Sequence, residues 1–215
     1  MLFLNKGAII SIYVVVIVIN NILIYNILNT KADDQEKTVK TLSNMAYIDK
    51  LTKINNRRAA EEYFEQYFDL FLKHKKSIVT VVCDIDYFKK VNDTYGHDVG
   101  DKVLVRVARI LDNSVRNNDV VCRWGGEEFV IIMPGLSENT SYSVLERLRN
   151  NIKKEVFTDG DKYFNITMSF GLSGMKVTDG SYERSFERAD QALYFSKNNG
   201  RNQVTIYEKQ EGEGV

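Results

Sequence analysis

The chain is predicted to fold as an α+β domain, a sheet carrying helices on one or both faces. Three observations predict it. Ser77-Ile78-Val79-Thr80-Val81-Val82-Cys83 is a β-branched run short enough for a buried central strand. Two further apolar runs, Val120–Cys122 and Phe129–Met133, flank Gly125-Gly126 and read as paired strands joined by a tight turn that needs positive φ. Helical stretches intervene, giving a βααββαβ succession that suits such a sheet.

The elements follow in order. A helix over about 56–74 ends in charge at His74, which is read as solvated. The strand 77–85 comes next, then helices over about 88–95 and 100–115. The second of these opens at Gly100-Asp101, an acid that the helix macrodipole favours, and Arg116 can close it. The hairpin spans 120–133 and Pro134-Gly135 ends its second strand. A helix (139–155), a strand (164–174), a helix (181–198) and a last strand (203–207) complete the order. Gly200 is a candidate left-handed residue ending the last helix, with Lys197 and Arg201 as its C-terminal cations.

Composition bounds the function. The 215 residues, 44% hydrophobic, allow one ordinary globular domain plus an accessory segment. Lys+Arg and Asp+Glu both number 29, so no basic excess points to nucleic acid. Cys83 and Cys122 sit far apart in apolar strands without a paired-cysteine motif, as reduced core residues do. Residues 8–28 carry no charge and are rich in Ile, Val and Leu; as a helix they would span roughly 31 Å, enough for a bilayer core. Lys31, Lys37 and Lys40 outnumber Lys6 across that segment, a mild bias for a cytosolic C-terminal side. Leu28, Ala32, Gln35, Val39, Leu42 and Ala46 then recur at alternating steps of four and three, as in a short parallel coiled coil or a solvated amphipathic helix. The expected organisation is a membrane helix (1–29), a helical linker (30–47), a domain (48–208) and a disordered tail (209–215).

The chemistry is expected where acids end strands. Asp84 closes the buried run, and Glu127 and Glu128 follow the two glycines. If the strand pairs beside the hairpin, Asp84 and Glu127 converge, and two hard carboxylates repel unless a cation lies between them. Mg²⁺ with substrate phosphates is the natural occupant, because its sites use one or two carboxylates plus phosphate oxygens. The plain alternative is a hairpin with acidic decoration, which would need Lys or Arg partners for each acid.

At this point the chain resembles the GGDEF family of diguanylate cyclases, in the Gly125-Gly126-Glu127-Glu128-Phe129 form. The likeness covers about residues 46 to 208 and rests on many motifs in family order. They include Asp49-Lys50-Leu51-Thr52, Asn56-Arg57-Arg58, Asp84-Ile85-Asp86-Tyr87-Phe88-Lys89, Asn92-Asp93, Gly96-His97 and Gly100-Asp101. After the hairpin come Ser169-Phe170-Gly171, Ala189-Asp190-Gln191-Ala192-Leu193-Tyr194 and Lys197-Asn198-Asn199-Gly200-Arg201-Asn202. The resemblance implies a palm-like fold, similar to class III nucleotide cyclases with an antiparallel-rich sheet, and the condensation of two GTP into cyclic di-GMP with release of pyrophosphate. A module of this fold that binds GTP or cyclic di-GMP without turnover is the alternative.

Roles are implied residue by residue. Asp84 and Glu127 are the side-chain ligands of Mg²⁺ (Mn²⁺ as the substitute), with the Ile85 carbonyl as a further oxygen. Glu128 is a second metal contact or a structural acceptor. Glu127 also stands as a base for the attacking 3′-hydroxyl, a role that metal ligation weakens. Asn92 and Asp101 match the guanine-reading positions; a carboxylate accepts from guanine N1–H and the exocyclic amine together, a donor pair adenine lacks. Lys89, Lys197 and Arg201 match phosphate contacts, and the short loop Phe88 to Asn92 lends backbone N–H groups. Arg116 and Asp119, with Arg147 as a secondary arginine, match an inhibitory site for the product. His97 orients a loop. The partners implied are GTP and a second copy of the chain, since each protomer holds one GTP and two must face each other. A single-pass protein of the bacterial inner membrane, with a cytosolic catalytic domain, is the expected setting.

Overall fold

Residues 19–31 and 47–208 are described by the structure, a computed structural model; 19–31 form a helix, α1, and 47–208 form the domain. In the domain the order is β1 (Asn55–Asn56), α2 (Arg57–His74), β2 (Ile78–Ile85), α3 (Phe88–Tyr95), α4 (His97–Ser114), β3 (Val120–Gly125) and β4 (Glu128–Pro134). It continues with α5 (Glu138–Lys154), β5 (Phe157–Asp159), β6 (Lys162–Phe164), β7 (Met168–Gly174), α6 (Glu183–Asn198) and β8 (Val204–Ile206). Six strands make a sheet in the order β1-β3-β4-β2-β7-β8, and β5 and β6 pair separately.

β2 lies inside this sheet, antiparallel to β4 on one side and β7 on the other, with every residue buried. That is what a β-branched run without polar alternation dictates. The outer strands differ from expectation: β1 joins β3 and β8 joins β7 in parallel, so the sheet is mixed. The period of two divides β2 between two cores. Val79, Val81, Cys83 and Ile85 meet Val103, Val107 and Leu111 of α4 and Leu145, Leu148 and Ile152 of α5. On the other face, Ile78 packs with Phe64, Phe68 and Phe71 of α2, and Val82 with Ala189 and Leu193 of α6. Helices therefore cover both faces.

The helix ends follow local chemistry. Asn56 caps α2, its side chain accepting from the Ala59 N–H, and Lys75 closes it in the left-handed region. Ser137 caps α5 by accepting from the Thr140 N–H. α4 starts at His97, three residues before the expected Gly100, because Gly96 at φ 84° both ends α3 and opens α4. α3 takes the expected bounds 88–95, so Phe88 to Asn92, also read as a short phosphate-facing loop, are its first turns. Gly126 alone of the hairpin glycines takes a positive φ, 51°, while Gly125 is the last residue of β3.

Of the expected membrane segment 8–28, residues 8–18 lie outside the described residues, and so do all the heptad positions except Leu28 and the tail 209–215. Among the described residues no helix is long and apolar enough to cross a membrane.

Candidate active site

Alternation along β2 puts Asp84 on the face that α6 covers. Lys197, in the last turn of α6, reaches it, with Nζ 2.9 Å from Asp84 Oδ2. Glu128 is the register partner of Asp84 on β4, and Glu127 occupies the turn before it. The Glu127 carbonyl accepts the Ile85 N–H at 3.3 Å, which stitches the turn to the end of the central strand. Burial pushes the Asp84 carboxyl up to about 6; Lys197 opposes this, while Glu127 and Glu128 add to it. The acids thus gather faster than the single lysine neutralises them.

That surplus is what a cation would relieve. No three His, Cys, Asp or Glu side chains converge as a ready-made ligand group among the described residues. A two-carboxylate site completed by phosphate oxygens still fits Mg²⁺, which needs no all-protein cage.

Asn92 packs on Gly100, the residue before Asp101. A Cβ on Gly100 would lie 1.9 Å from Asn92 Oδ1, so the amide rests on the bare Cα one residue from exposed Asp101. Asp101 stands a turn inside α4 and Asp98 is the first-turn acid, so the macrodipole does not account for Asp101. Phe88 is buried and Lys89 exposed at the start of α3. That helix opens without a side-chain cap, leaving its leading N–H groups to other acceptors.

Arg201, at φ 61°, lies with its guanidinium carbon 4.5 Å from the centroid of the Tyr87 ring and donates to the Tyr87 hydroxyl at 3.3 Å. Beside it the Asn202 N–H donates to Asp86 Oδ2 at 3.0 Å. Buried Asp86 also accepts from Thr167 Oγ1 at 2.6 Å and Ser169 Oγ at 2.7 Å.

Arg116, Asp119 and Arg147 gather elsewhere. Arg116 Nη2 is 2.6 Å from Asp119 Oδ1 and donates to the Pro134 carbonyl at 3.0 Å, while Nε reaches Asp119 Oδ2 at 3.2 Å. Arg147 Nη2 donates to the Ser114 carbonyl at 3.2 Å, at the end of α4. This cluster adjoins the start of β3 and the Gly-Gly turn its end, roughly 20 Å apart along the strand.

Residues that sequence reasoning gave no role also shape the site. Arg123 grips the hairpin, with Nε and Nη2 donating to the Gly126 carbonyl at 3.0 and 2.8 Å and Nη1 to Asp49 Oδ1 at 3.1 Å. Burial works against the charged Asp49 carboxyl, but the Thr52 hydroxyl and N–H and the Arg123 guanidinium outweigh it and hold the group below its ordinary range. The Asp-x-x-Thr spacing signals that local turn; nothing in the sequence ties it to Arg123, 74 residues away. Tyr87 lies inside the Asp84–Lys89 motif, but nothing in the sequence assigns its side chain a role, which rests on an unusual φ of 56°.

Residues 46–203 match the family described as "Diguanylate cyclase, GGDEF domain". The chain is 40% identical over 151 residues to diguanylate cyclase A of Treponema denticola, covering 65% of this chain and 40% of that protein. It is 38% identical over 166 residues to the response regulator PleD of Caulobacter vibrioides, covering 74% and 36%. The chain thus spans less than half the length of these curated relatives. Among solved structures, the coiled coil and GGDEF domain of DgcB from Caulobacter crescentus, in complex with c-di-GMP, superposes with TM-score 0.79 at 29% identity, over 83% of this chain and 94% of that one. The active GGEEF domain of a diguanylate cyclase from Vibrio cholerae gives 0.68 at 31% identity, over 72% and 97%.

Proposed function

The chain belongs to the GGDEF family, and on that premise we propose that it is a diguanylate cyclase, joining two GTP into cyclic di-GMP. The observation that carries this reading is the acid cluster at the β2–hairpin junction, where Asp84 lies buried beside Glu127 and Glu128 with Lys197 as its counter-charge. In each half-reaction a ribose 3′-oxygen bonds to the α-phosphorus of the facing GTP, the α–β anhydride bond breaks and pyrophosphate leaves. Mg²⁺ held by Asp84, Glu127 and the Ile85 carbonyl would neutralise the triphosphate and stabilise charge developing at the α-phosphate.

The chain's own groups do the rest. Asp101 accepts from guanine N1–H and the exocyclic amine, and Asn92 adds a hydrogen bond to the base. Lys89, Lys197, Arg201 and the leading N–H groups of α3 bind the phosphates, and Glu127 receives the 3′-hydroxyl proton. Arg116, Asp119 and Arg147 take cyclic di-GMP as a product site. One domain presents one GTP, so turnover belongs to a homodimer, and the linker before the domain sets how the two face each other. Residues 8–28 anchor the chain in a membrane, a reading that rests on their apolar, uncharged composition.

The test incubates the whole chain in detergent micelles with GTP and Mg²⁺, with chromatography read for cyclic di-GMP and pyrophosphate. Product from wild type and none from Glu127→Gln supports the cyclase. GTP or cyclic di-GMP binding without product replaces it by a binding module.

A further inference from the structure

Two consecutive residues of the β2–α3 corner meet two consecutive residues beyond α6. Asp86 accepts the Asn202 N–H, and Tyr87 lies under the guanidinium of Arg201. All four belong to motifs quoted above, but the Tyr87 side chain has no role there, and its placement needs a reason. The residue is 62% exposed, so it adds little to the core. It sits at the N-cap of α3, yet its side chain makes no capping hydrogen bond. It also holds φ at 56°, a region that bulky side chains rarely enter and that costs free energy. What the ring does is hold Arg201, with 4.5 Å from guanidinium to ring centroid and 3.3 Å from Nη1 to the hydroxyl. Among the described residues no carboxylate pairs with Arg201, so its charge is oriented without being neutralised.

We infer that Tyr87 is a positioning residue for Arg201, its ring presenting the guanidinium to the terminal phosphates of a nucleoside triphosphate. A flexible arginine loses side-chain entropy on binding an anion, and a stacked one has already lost it. The ring face attracts the cation while leaving N–H donors at its edge for phosphate oxygens. The Asp86–Asn202 hydrogen bond beside it keeps the two corners in register.

This inference rests on the GTP reading, and the experiment separates the two. Binding of GTP, supplied in its 3′-deoxy form so that no condensation can occur, and of GMP to the whole chain, in detergent micelles with Mg²⁺, is measured by calorimetry for wild type, Tyr87→Asn, Tyr87→Phe, Arg201→Ala and the double variant Tyr87→Asn/Arg201→Ala. Asparagine accepts the left-handed backbone, so removing the ring adds no strain. Tyr87→Asn is expected to weaken GTP about three- to fivefold, the worth of an exposed cation–π contact, and to leave GMP unchanged. Tyr87→Phe keeps the stack and stays within about twofold of wild type. On the Arg201→Ala background the Tyr87 substitution has no further effect. Wild-type GTP affinity in Tyr87→Asn, equal losses for GTP and GMP, or an undiminished loss without Arg201 would each overturn the positioning role alone. A wild-type chain that binds no GTP overturns the nucleotide reading and this inference with it.

Discussion

The side-chain amide of Asn92 rests directly on the α-carbon of Gly100, so closely that a methyl group there would stand 1.9 Å from Asn92 Oδ1. The contact joins α3 to α4 one residue before Asp101, the proposed base-reading partner of Asn92. It also separates folding from function. The atom that an alanine would strike is the end of a movable side chain, so Gly100→Ala should displace the amide and leave the helices in place. Alanine's better helix propensity offsets part of the crowding, and stability should stay within about 1 kcal/mol of wild type. GTP affinity should fall roughly three- to tenfold, the worth of one misplaced hydrogen bond. Chemical denaturation and a GTP titration on the same sample check both halves.

Gly171 makes the opposite case, because backbone meets it. A Cβ there would lie 2.1 Å from the Leu193 nitrogen and 2.2 Å from the Ala189 carbonyl oxygen of α6. Neither can swing aside, so in Gly171→Ala the whole helix must lift from β7. Overpacking of this kind costs about 3 kcal/mol. Since α6 carries Lys197 to Asp84, GTP binding should weaken together with the midpoint of thermal unfolding. A variant that binds GTP normally at reduced stability would uncouple the seat of α6 from the site.

Much of this was legible in advance, and what was not has physical causes. β2 and the β3–β4 hairpin announced themselves by β-branched runs and a glycine turn, and α2, α5 and α6 lie within a few residues of the expected bounds. β1 is two residues long and exists only because β3 offers a parallel edge at Cys122 and Arg123. The β5–β6 hairpin lies between the expected helix 139–155 and the expected strand 164–174, and only Phe164 of it falls inside either. Its one cue, Asp159-Gly160, lies between strands of three residues, too short for any periodicity to register. The parallel edges of the sheet depend on pairings between distant segments, which no local pattern encodes. In the site, Asp84 at a strand end and Glu127-Glu128 at a hairpin predicted acids side by side. The Lys197–Asp84 ion pair, the Arg123 grip on Gly126 and the Tyr87–Arg201 stack required three-dimensional neighbours and left-handed backbone that residue identity does not reveal.

The Asp179–Arg188 pair ties the loop after β7 to α6 and sets an acid limit to stability. Arg188 Nη1 and Nη2 reach Asp179 Oδ1 and Oδ2 at 2.7 and 2.8 Å, and the Lys176 N–H donates to Oδ2 at 2.7 Å. Burial penalises the charged carboxyl, but these partners outweigh it and hold it below its ordinary value. A depressed folded-state pKa means stability present above the unfolded value, about 3.9, and lost as pH falls through the folded one. Asp179→Asn should therefore cost about 2 kcal/mol at pH 7, where Arg188 loses its counter-charge. The difference from wild type should shrink below about pH 4. Urea unfolding at pH 7 and pH 3 measures it, and a constant difference would assign the effect to packing.

Arg116 and Asp119 already bind each other, and that bears on how a ligand enters their site. The Asp119 carboxylate is 1% exposed and takes Arg116 at 2.6 and 3.2 Å, whereas the Arg116 side chain is 49% exposed. Arginine therefore offers its outer edge to a phosphate, while the aspartate holds the inner edge and fixes the fork. On the product-site reading, Arg116→Ala should weaken cyclic di-GMP at least about tenfold, since charge-assisted contacts of this kind are worth about 1.5–3 kcal/mol. Arg116→Lys should recover only part of this, because an ammonium keeps the charge without the fork. Arg147→Ala should have a smaller effect, its guanidinium being partly engaged with the Ser114 carbonyl. Calorimetric titration of cyclic di-GMP into each variant checks the order. GTP affinity supplies the internal control, because the cluster stands at the far end of β3 from the Gly-Gly turn and should leave it unchanged. Equal cyclic di-GMP affinity in wild type and Arg116→Ala would remove this cluster from the product site and leave it as the clamp that joins the α4–β3 connection to the Pro134 carbonyl.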